Sequence, residues 1–164
     1  MIKLKHVLVA TDFSDPSQTA LAYGRELART FQADLHVAHV MEHIFALQSG
    51  GEIAVTDLSP IVQDLESAAR KQLEASIGDD DRRELHARTA LLSANNPAIG
   101  IVAHARDIEA DVIVIGTHGR GALSKLLLGS VAERVVRIAP CPVLTVRHPQ
   151  HEFVVSDALQ VGRR

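Results

Sequence analysis

Cysteine, excess positive charge and long apolar runs are all scarce in this sequence, and each shortage excludes a class of protein. The single cysteine, Cys141, excludes an intramolecular disulfide framework and favours the reducing cytosol. Lysine and arginine number 17 against 20 aspartates and glutamates, a net charge of −3, so nothing drives binding to nucleic acid or an anionic membrane. The opening MIKLKHVLVATDF has too short an apolar run for a signal peptide, and no segment approaches a membrane span. We therefore expect a cytoplasmic protein with no nucleic-acid or membrane partner.

The composition that remains is that of one globular domain. The chain has 164 residues, of which 46% are hydrophobic and 23% charged, enough to bury a full core. We expect the domain to occupy residues 1–147, with a long connection at 42–56. Residues 148–164 follow the last predicted strand as a tail of unknown structure.

Short apolar runs alternate with helical patterns along this domain. Four runs rich in Val, Ile and Leu are nearly continuous, which predicts strands covered on both faces of a parallel sheet: 6–10, 35–41, 112–116 and 143–146. Residues 84–92 mix polar and apolar side chains, which is typical of an edge strand.

Helical periodicity predicts four helices between these strands. The second has an apolar face expected to be buried, formed by Leu58, Ile61, Val62, Leu65, Ala69 and Leu73. It ends near Gly78, and the charged segment 79–84 after it is expected to be a solvated turn. The fourth begins at Ser130, whose spacing from Glu133 is that of a capping box with Ser130 as N-cap. The resulting order, β-α-β-α-β-α-β-α-β, predicts a five-stranded doubly wound α/β domain.

The stretch from Gly116 to Ser130 has the glycine content of a phosphate-binding loop but fits neither common pattern. Ala122 stands where a Walker-type loop needs its lysine, and Ser124 stands where a dinucleotide fingerprint needs its third glycine. What remains is G-x2-G-x9-G-S, which begins directly after a predicted strand and ends directly before a predicted helix.

This placement suits an anion. Glycine lets a ligand approach the backbone closely, and a helix start offers unpaired N–H groups and a partial positive charge. Three residues at that start are expected to present N–H groups to a phosphate: Gly129, Ser130 and Val131. Gly116 and Gly119 would shape the facing wall, and Arg120 would add a cation for the outer phosphates. The alternative is that these are turn glycines and that Ser130 only caps its own helix.

Thr11 and Asp12 follow the first predicted strand as Gly116 follows the fourth. Ligands of doubly wound sheets bind beyond the carboxyl ends of the strands at the topological switch point, so the two motifs face one crevice if these strands flank that switch. A carboxylate beside phosphates is repulsive unless a metal intervenes. Asp12 is therefore expected to meet ribose hydroxyls or a bridging Mg²⁺ or Mn²⁺, the alternative being a turn aspartate before a helix.

Together these residues resemble the universal stress protein family. The resemblance covers residues 1 to about 147 and rests on VLVATDFS near the start and on ADVIVIGTHGRGALSKLLLGSVAERVVRIAPCPVLTVR near the end. The G-x2-G-x9-G-[ST] spacing is that of the family's ATP-binding branch. The resemblance implies a Rossmann-like sheet of order 3-2-1-4-5, with ATP as ligand. It also implies a homodimer formed through the last strand, residues 142–146.

The resemblance also implies a nucleotide site, residue by residue. Three residues would line the adenosine side: Ala10, Thr11 and Asp12. Val40 would meet adenine through its backbone. Ribose and phosphates would be wrapped by Ile115, Gly116, Thr117, His118, Gly119, Arg120, Gly129, Ser130, Val131 and Ala132. The alternative for His118 is that it is an ordinary loop histidine. Two residues depart from many relatives: Ala132 lacks a hydroxyl, which weakens the phosphate contacts, and Phe13 replaces a glycine, which crowds the entrance.

Three functions stay open at this point. The first is a regulatory ATP-binding protein of the stress response, whose nucleotide state modulates its partners. The second is a weak ATPase or phosphotransferase, for which Asp12, Arg120 and Lys125 are available but no convincing base. The third is a dimerisation module that binds no nucleotide, against which the intact glycine motif argues.

Nine histidines raise the question of a metal site. His36, His39 and His43 are close in sequence, but His36 and His39 point to opposite faces of a strand. We therefore expect no metal shared by these three residues and no metal site formed by the protein alone.

Overall fold

A computed structural model describes residues 2–42, 59–117 and 128–147. Its strands and helices, in chain order, are β1 (His6–Ala10), α1 (Asp15–Phe31), β2 (Asp34–Glu42), α2 (Ser59–Ala75), α3 (Asp79–Glu84), β3 (Arg88–Ala94), α4 (Pro97–Asp107), β4 (Val112–Gly116), α5 (Ser130–Ile138) and β5 (Val143–Val146). All pairings between the strands are parallel, and the sheet order is β3-β2-β1-β4-β5. The predicted doubly wound sheet of order 3-2-1-4-5 is confirmed. None of the described helices is both long and apolar enough to cross a membrane.

The central strands are buried on both faces. Val7 and Val9 of β1 belong to a core cluster shared with α1, while Leu8 and Ala10 belong to a second cluster shared with α4 and α5. Successive side chains of a strand point to opposite faces, so a strand covered on both sides needs apolar residues at every position. This explains the continuous apolar runs in the sequence.

The predicted buried face of α2 is wrong for most of its length. Leu73 is buried, whereas Ile61, Val62 and Leu65 are exposed, Ile61 by 54%. The helix contacts β2 and β3 at the edge side of the sheet, and burial among its described residues occurs only near its C-terminal end. The periodicity predicted the helix but not how far the sheet extends beneath it. Leu58 lies outside the described residues.

The charged segment 79–84 forms the short helix α3 rather than a solvated turn. Asp81, in its middle, is only 6% exposed and forms an ion pair with Arg25 of α1. The prediction of a solvated turn is wrong because the partner of this carboxylate lies on a distant helix, which local charge pattern does not reveal.

Candidate functional site

The sheet order reverses at β1, which lies between β2 and β4. At the carboxyl ends of these strands the first turns of α1, α4 and α5 surround a cavity of about 690 Å³. That volume is in the usual range for small-molecule sites, and its position is where doubly wound sheets bind ligands.

Every predicted site residue that the structure describes lines this cavity: Ala10, Thr11, Asp12, Val40, Ile115, Gly116, Thr117, Gly129, Ser130, Val131 and Ala132. His118, Gly119 and Arg120 lie outside the described residues. The structure therefore brings the turn after β1 and the two ends of the glycine stretch to one crevice.

Hydrogen bonds between side chains and backbone fix the turn after β1. The Phe13 N–H donates to Thr11 Oγ1 at 3.0 Å, and Thr11 Oγ1 lies 3.0 Å from Ser17 Oγ. Asp12 Oδ1 accepts from the Ser14 N–H at 3.1 Å and from the Ser14 hydroxyl. This Asx turn holds the Asp12 carboxylate at the cavity with one oxygen engaged by the turn itself.

Phe13 adopts the left-handed conformation, with φ 65°. Its ring centroid lies 4.4 Å from that of His39, and it packs against the core cluster shared with α1. Phe13 does not contribute to the lining of the described cavity. The predicted crowding of the entrance is therefore wrong, because the left-handed turn directs the ring towards the core.

Gly129, rather than Ser130, is the N-cap of α5, so that prediction is wrong by one residue. Ser130 is the first helical residue, and the first intrahelical bond runs from the Glu133 N–H to the Gly129 carbonyl at 2.8 Å. The predicted capping box does not form, because the cap residue is Gly129, which has no side chain, and the Glu133 carboxylate accepts from Arg137 at 3.0 Å.

The N–H donors at this helix start also differ from the prediction. Gly129 donates its N–H to the Thr117 carbonyl at 2.6 Å, so it is not available to a phosphate. Three N–H groups precede the first intrahelical bond and have no acceptor within the helix: those of Ser130, Val131 and Ala132. The N–H groups without an acceptor in the helix therefore begin one residue further along the chain than the sequence predicted.

Gly116 is required by packing between the end of β4 and the first turn of α1. A Cβ at this position would lie 2.9 Å from the Pro16 carbonyl carbon and 3.0 Å from Pro16 Cβ. Its absence lets the first turn of α1 close onto the end of β4. The turn after β1 is thereby held against the same crevice as α5.

The described lining residues include carboxylates and no lysine or arginine. Asp12 and Glu42 are acidic, and His39 places Nδ1 2.8 Å from the Thr11 carbonyl oxygen. Attraction of an anion by the described part of the cavity therefore comes from the N-terminus of α5. Arg120, the predicted cation, lies outside the described residues.

Sequence reasoning missed six lining residues: Ser17, Ala38, His39, Glu42, Pro97 and Ile101. A usable signal existed for three of them. Ser17 belongs to the first turn of α1, which follows β1. Pro97 and Ile101 belong to the first turns of α4, which follows β3 directly. Every helix that follows a strand of a parallel sheet begins at the same edge of that sheet, so these turns were candidates for the crevice.

The sequence model of the universal stress protein family matches residues 3–147. This chain belongs to the universal stress protein family. A family member of Methanocaldococcus jannaschii is 32% identical over 148 residues, covering 90% of this chain and 85% of that protein. Universal stress protein A homolog 1 of Coxiella burnetii is 35% identical over 147 residues, covering 87% of this chain and 95% of that protein.

Solved structures of the family share the fold. Universal stress protein UspA from Lactobacillus plantarum matches with a TM-score of 0.68 at 24% identity, covering 90% of this chain and 100% of that one. A universal stress protein in complex with cAMP matches at 0.55 and 25% identity, covering 88% and 98%. The Archaeoglobus fulgidus protein in complex with dAMP matches at 0.59 and 27% identity, covering 89% and 99%.

Proposed function

We propose that this universal stress protein binds ATP in the cavity at the switch point and that its nucleotide state regulates partner proteins in the cytoplasm during stress. The observation that carries the proposal is the convergence of the Thr11-Asp12 turn and the start of α5 on one cavity of about 690 Å³. Two relatives that share the fold were solved with adenine nucleotides, cAMP and dAMP.

The chemistry of the cavity orients the nucleotide. Val40, Pro97 and Ile101 form an apolar wall suited to adenine. Asp12 follows β1 and meets the ribose hydroxyls or a Mg²⁺ or Mn²⁺ ion carried by the triphosphate. The phosphates then lie at the N-terminus of α5, where three backbone N–H groups and the helix dipole favour negative charge.

Binding with at most slow hydrolysis fits these groups better than rapid turnover. Phosphoryl transfer needs a positioned base or water-orienting group together with stabilising cations. Asp12 Oδ1 is engaged by Ser14, and His39 Nδ1 is engaged by the Thr11 carbonyl. These contacts fix the turn instead of leaving a base directed at a γ-phosphate.

Calorimetric titration of the full chain with ATP, with and without Mg²⁺, tests the proposal on wild type and Gly129→Val. The wild type is expected to bind ATP at micromolar concentrations, and the variant to bind about tenfold or more weakly because the side chain occupies the phosphate end. Gly129 has φ −61° and ψ 149°, which valine adopts without strain, so we expect the variant to keep its backbone conformation.

Arg137→Gln is the matched control, since it alters the last turn of the same helix, away from the cavity. It is expected to bind ATP like the wild type. Adenosine serves as a second ligand and should bind more weakly than ATP to the wild type. Equal affinity for ATP and adenosine would contradict the proposal that the phosphates bind at the N-terminus of α5. No binding of either ligand would contradict the proposed nucleotide-binding function.

We further propose a homodimer formed through β5. Among the described strands β5 pairs only with β4, which leaves an edge open to association. The carbonyls of Pro142 and Val146 accept from β4-side N–H groups at 3.0 and 2.8 Å. Because successive residues of a strand direct their backbone groups to opposite sides, those of Val143 and Thr145 point away from β4.

Thr145→Pro tests this edge. The substitution removes an N–H that the ladder with β4 does not use, and proline is tolerated on edge strands, so the fold is expected to persist while the dimer dissociates. Size-exclusion chromatography with light scattering reports the mass. Thr145→Val keeps the N–H and should stay dimeric, whereas a Thr145→Pro protein that remains dimeric would assign dimerisation to another surface.

A further inference from the structure

Histidines gather at the end of the sheet opposite to the nucleotide cavity. His6 begins β1 and lies beside Asp34 in the parallel ladder, while His36 lies beside Leu8. Residues two apart on a strand share a face, so all three polar side chains project from the face that bears Leu8, which α4 covers. β1 rises about 13 Å between His6 and Ala10, which separates this cluster from the cavity.

The donor atoms of this cluster are already close together. One ligand atom from each of His6, Asp34 and His36 lies within 4.8 Å of the other two. The two imidazole rings meet edge to face, with centroids 5.6 Å apart and planes at 67°. Donors around a tetrahedral zinc ion stand about 3.3 Å apart, so these atoms need to approach by about 1.5 Å at most, which side-chain rotation supplies.

Each histidine of the cluster has one buried ring nitrogen without a hydrogen-bond partner among the described residues. His36 is 8% exposed, and its Nε2 has no hydrogen-bond partner among the described residues. The same holds, within the described part of the chain, for the buried His6 Nδ1 and for Nε2 of His104 on α4. Buried polar atoms are normally hydrogen-bonded, so the two unpaired nitrogens of this cluster indicate a metal ion that would accept their lone pairs.

The protonation state of His36 and His104 also suits a nearby metal ion. Burial, with the neighbouring charges of His6, His104 and Arg88, lowers the pKa of His36 to about 4. Burial also lowers the pKa of His104. Both imidazoles are therefore neutral near pH 7, as a metal ligand must be. Asp34 adds a carboxylate whose Oδ1 lies 3.0 Å from His86 Nδ1, an outer contact that orients it.

We propose that His6, Asp34 and His36 bind a divalent transition metal ion, with Zn²⁺ as the best fit and water in the fourth position. Two imidazoles and one carboxylate form a donor set that borderline metals prefer, whereas Mg²⁺ and Ca²⁺ require more oxygen ligands. The ion joins the starts of β1 and β2. The site is separate from the nucleotide cavity and does not depend on ATP binding.

Zinc titration of the full chain against a chromogenic chelator tests the proposal. Three variants are compared with the wild type: His6→Gln, Asp34→Asn and His39→Gln. The first two remove proposed ligands. His39 lies on the opposite face of β2 against Phe13, so His39→Gln removes one histidine, as His6→Gln does, but leaves the cluster intact. This control separates the site from weak binding by other histidines.

The wild type and His39→Gln are expected to bind one zinc ion per chain, and His6→Gln and Asp34→Asn to bind it about tenfold or more weakly. Absence of stoichiometric binding in the wild type, or equal affinity in all four proteins, would overturn the proposal. Melting curves without zinc identify a variant that does not fold. In that event ¹H–¹⁵N spectra of the wild-type imidazoles decide: zinc must shift the ring nitrogens of His6 and His36, and shifts confined to other histidines overturn the site.

Discussion

Gly24→Val is expected to lower the free energy of unfolding by about 3 kcal/mol or more, at or above the upper end for overpacking a core. Gly24 lies inside α1, where the helix crosses β1. A Cβ built at this position would lie 2.3 Å from Val9 Cγ2 and 3.6 Å from Leu35 Cδ1. Both neighbours are fully buried, so neither side chain has free space into which to move. The helix must therefore separate from the sheet to admit the two further methyl groups of valine.

Gly100→Ala is the control, because at this position the gain in helix propensity and the cost of overpacking are expected to be similar in size. Replacing a helix-interior glycine by alanine gains about 1 kcal/mol of helix propensity, and overpacking costs about 1–3 kcal/mol. A Cβ at Gly100 of α4 would meet Ala94 Cβ and Val40 Cγ1 at 3.1 Å, a contact that small shifts relieve. Gly100→Ala is therefore expected within about 1 kcal/mol of the wild type, and Gly24→Ala clearly below it.

Urea denaturation of the two alanine variants and of Gly24→Val measures the differences. A Gly24→Val protein as stable as the wild type would show that α1 does not approach β1 as closely as the structure indicates. Equal stability of Gly24→Ala and Gly100→Ala would show that helix propensity, not the contact with Val9, governs both positions.

The sheet could be predicted because burial of its central strands on both faces leaves a direct pattern in their sequence. Val7 to Ala10 and Val112 to Ile115 are buried on both faces, and only continuous apolar runs satisfy that burial. β3 pairs only with β2 among the described strands, and the weaker pattern at 84–92 correctly predicted an edge. Its bounds were wrong, since the strand is Arg88–Ala94 and Glu84 is the last residue of α3.

Burial that depends on distant partners could not be predicted. Ile61 and Leu65 have the spacing of a buried helical face, yet they are exposed because the sheet beneath α2 meets only its last turns. Asp81 shows the opposite case: its acidic side chain in a charged segment indicates exposure, yet it is buried. In both cases the deciding contact is a long-range one, which periodicity and local charge do not encode.

The crevice followed from topology, whereas the histidine cluster did not. Once β1 and β4 are neighbours, Asp12 and Gly116 must lie at the same edge of the sheet. Along β2, His36 and His39 point to opposite faces, so the sequence of this strand alone indicates no cluster. The histidine that completes the cluster, His6, lies across the ladder in β1, and that register is known only from the paired strands.

Asp81→Asn is expected to lower the free energy of unfolding by about 3 kcal/mol, as breaking one partner of a buried ion pair does. Arg25 donates from Nε to both carboxylate oxygens at 3.0 Å and from Nη2 to Oδ2 at 2.8 Å. Arg25 Nη2 also donates to the Ser76 carbonyl at 2.7 Å, and the Gly78 N–H donates to Asp81 Oδ2 at 3.1 Å. The variant leaves the guanidinium, whose side chain is 26% exposed, without its counter-charge.

Glu133→Gln is the matched control, because its ion pair with Arg137 joins side chains that are 53% and 74% exposed. It is expected to change stability by less than about 0.5 kcal/mol. Urea denaturation at pH 7 compares both variants with the wild type. An Asp81→Asn protein no less stable than Glu133→Gln would show that the buried pair adds nothing beyond a surface contact.

Acidification provides an independent test of the same pair. Burial by itself would raise the pKa of Asp81, but hydrogen bonds from Arg25 and Gly78 and the charges of Arg25 and Arg29 outweigh it, so the pKa is lowered. The folded protein therefore binds this proton less readily than the unfolded chain, whose aspartates titrate at about 3.9. The stabilisation is complete above that pH and is lost as pH falls through the lower, folded pKa. The difference in the free energy of unfolding between wild type and Asp81→Asn should therefore shrink as the pH falls from 5 to 2. A difference that stays constant over that range would show that the carboxylate charge does not stabilise the packing of α3 against α1.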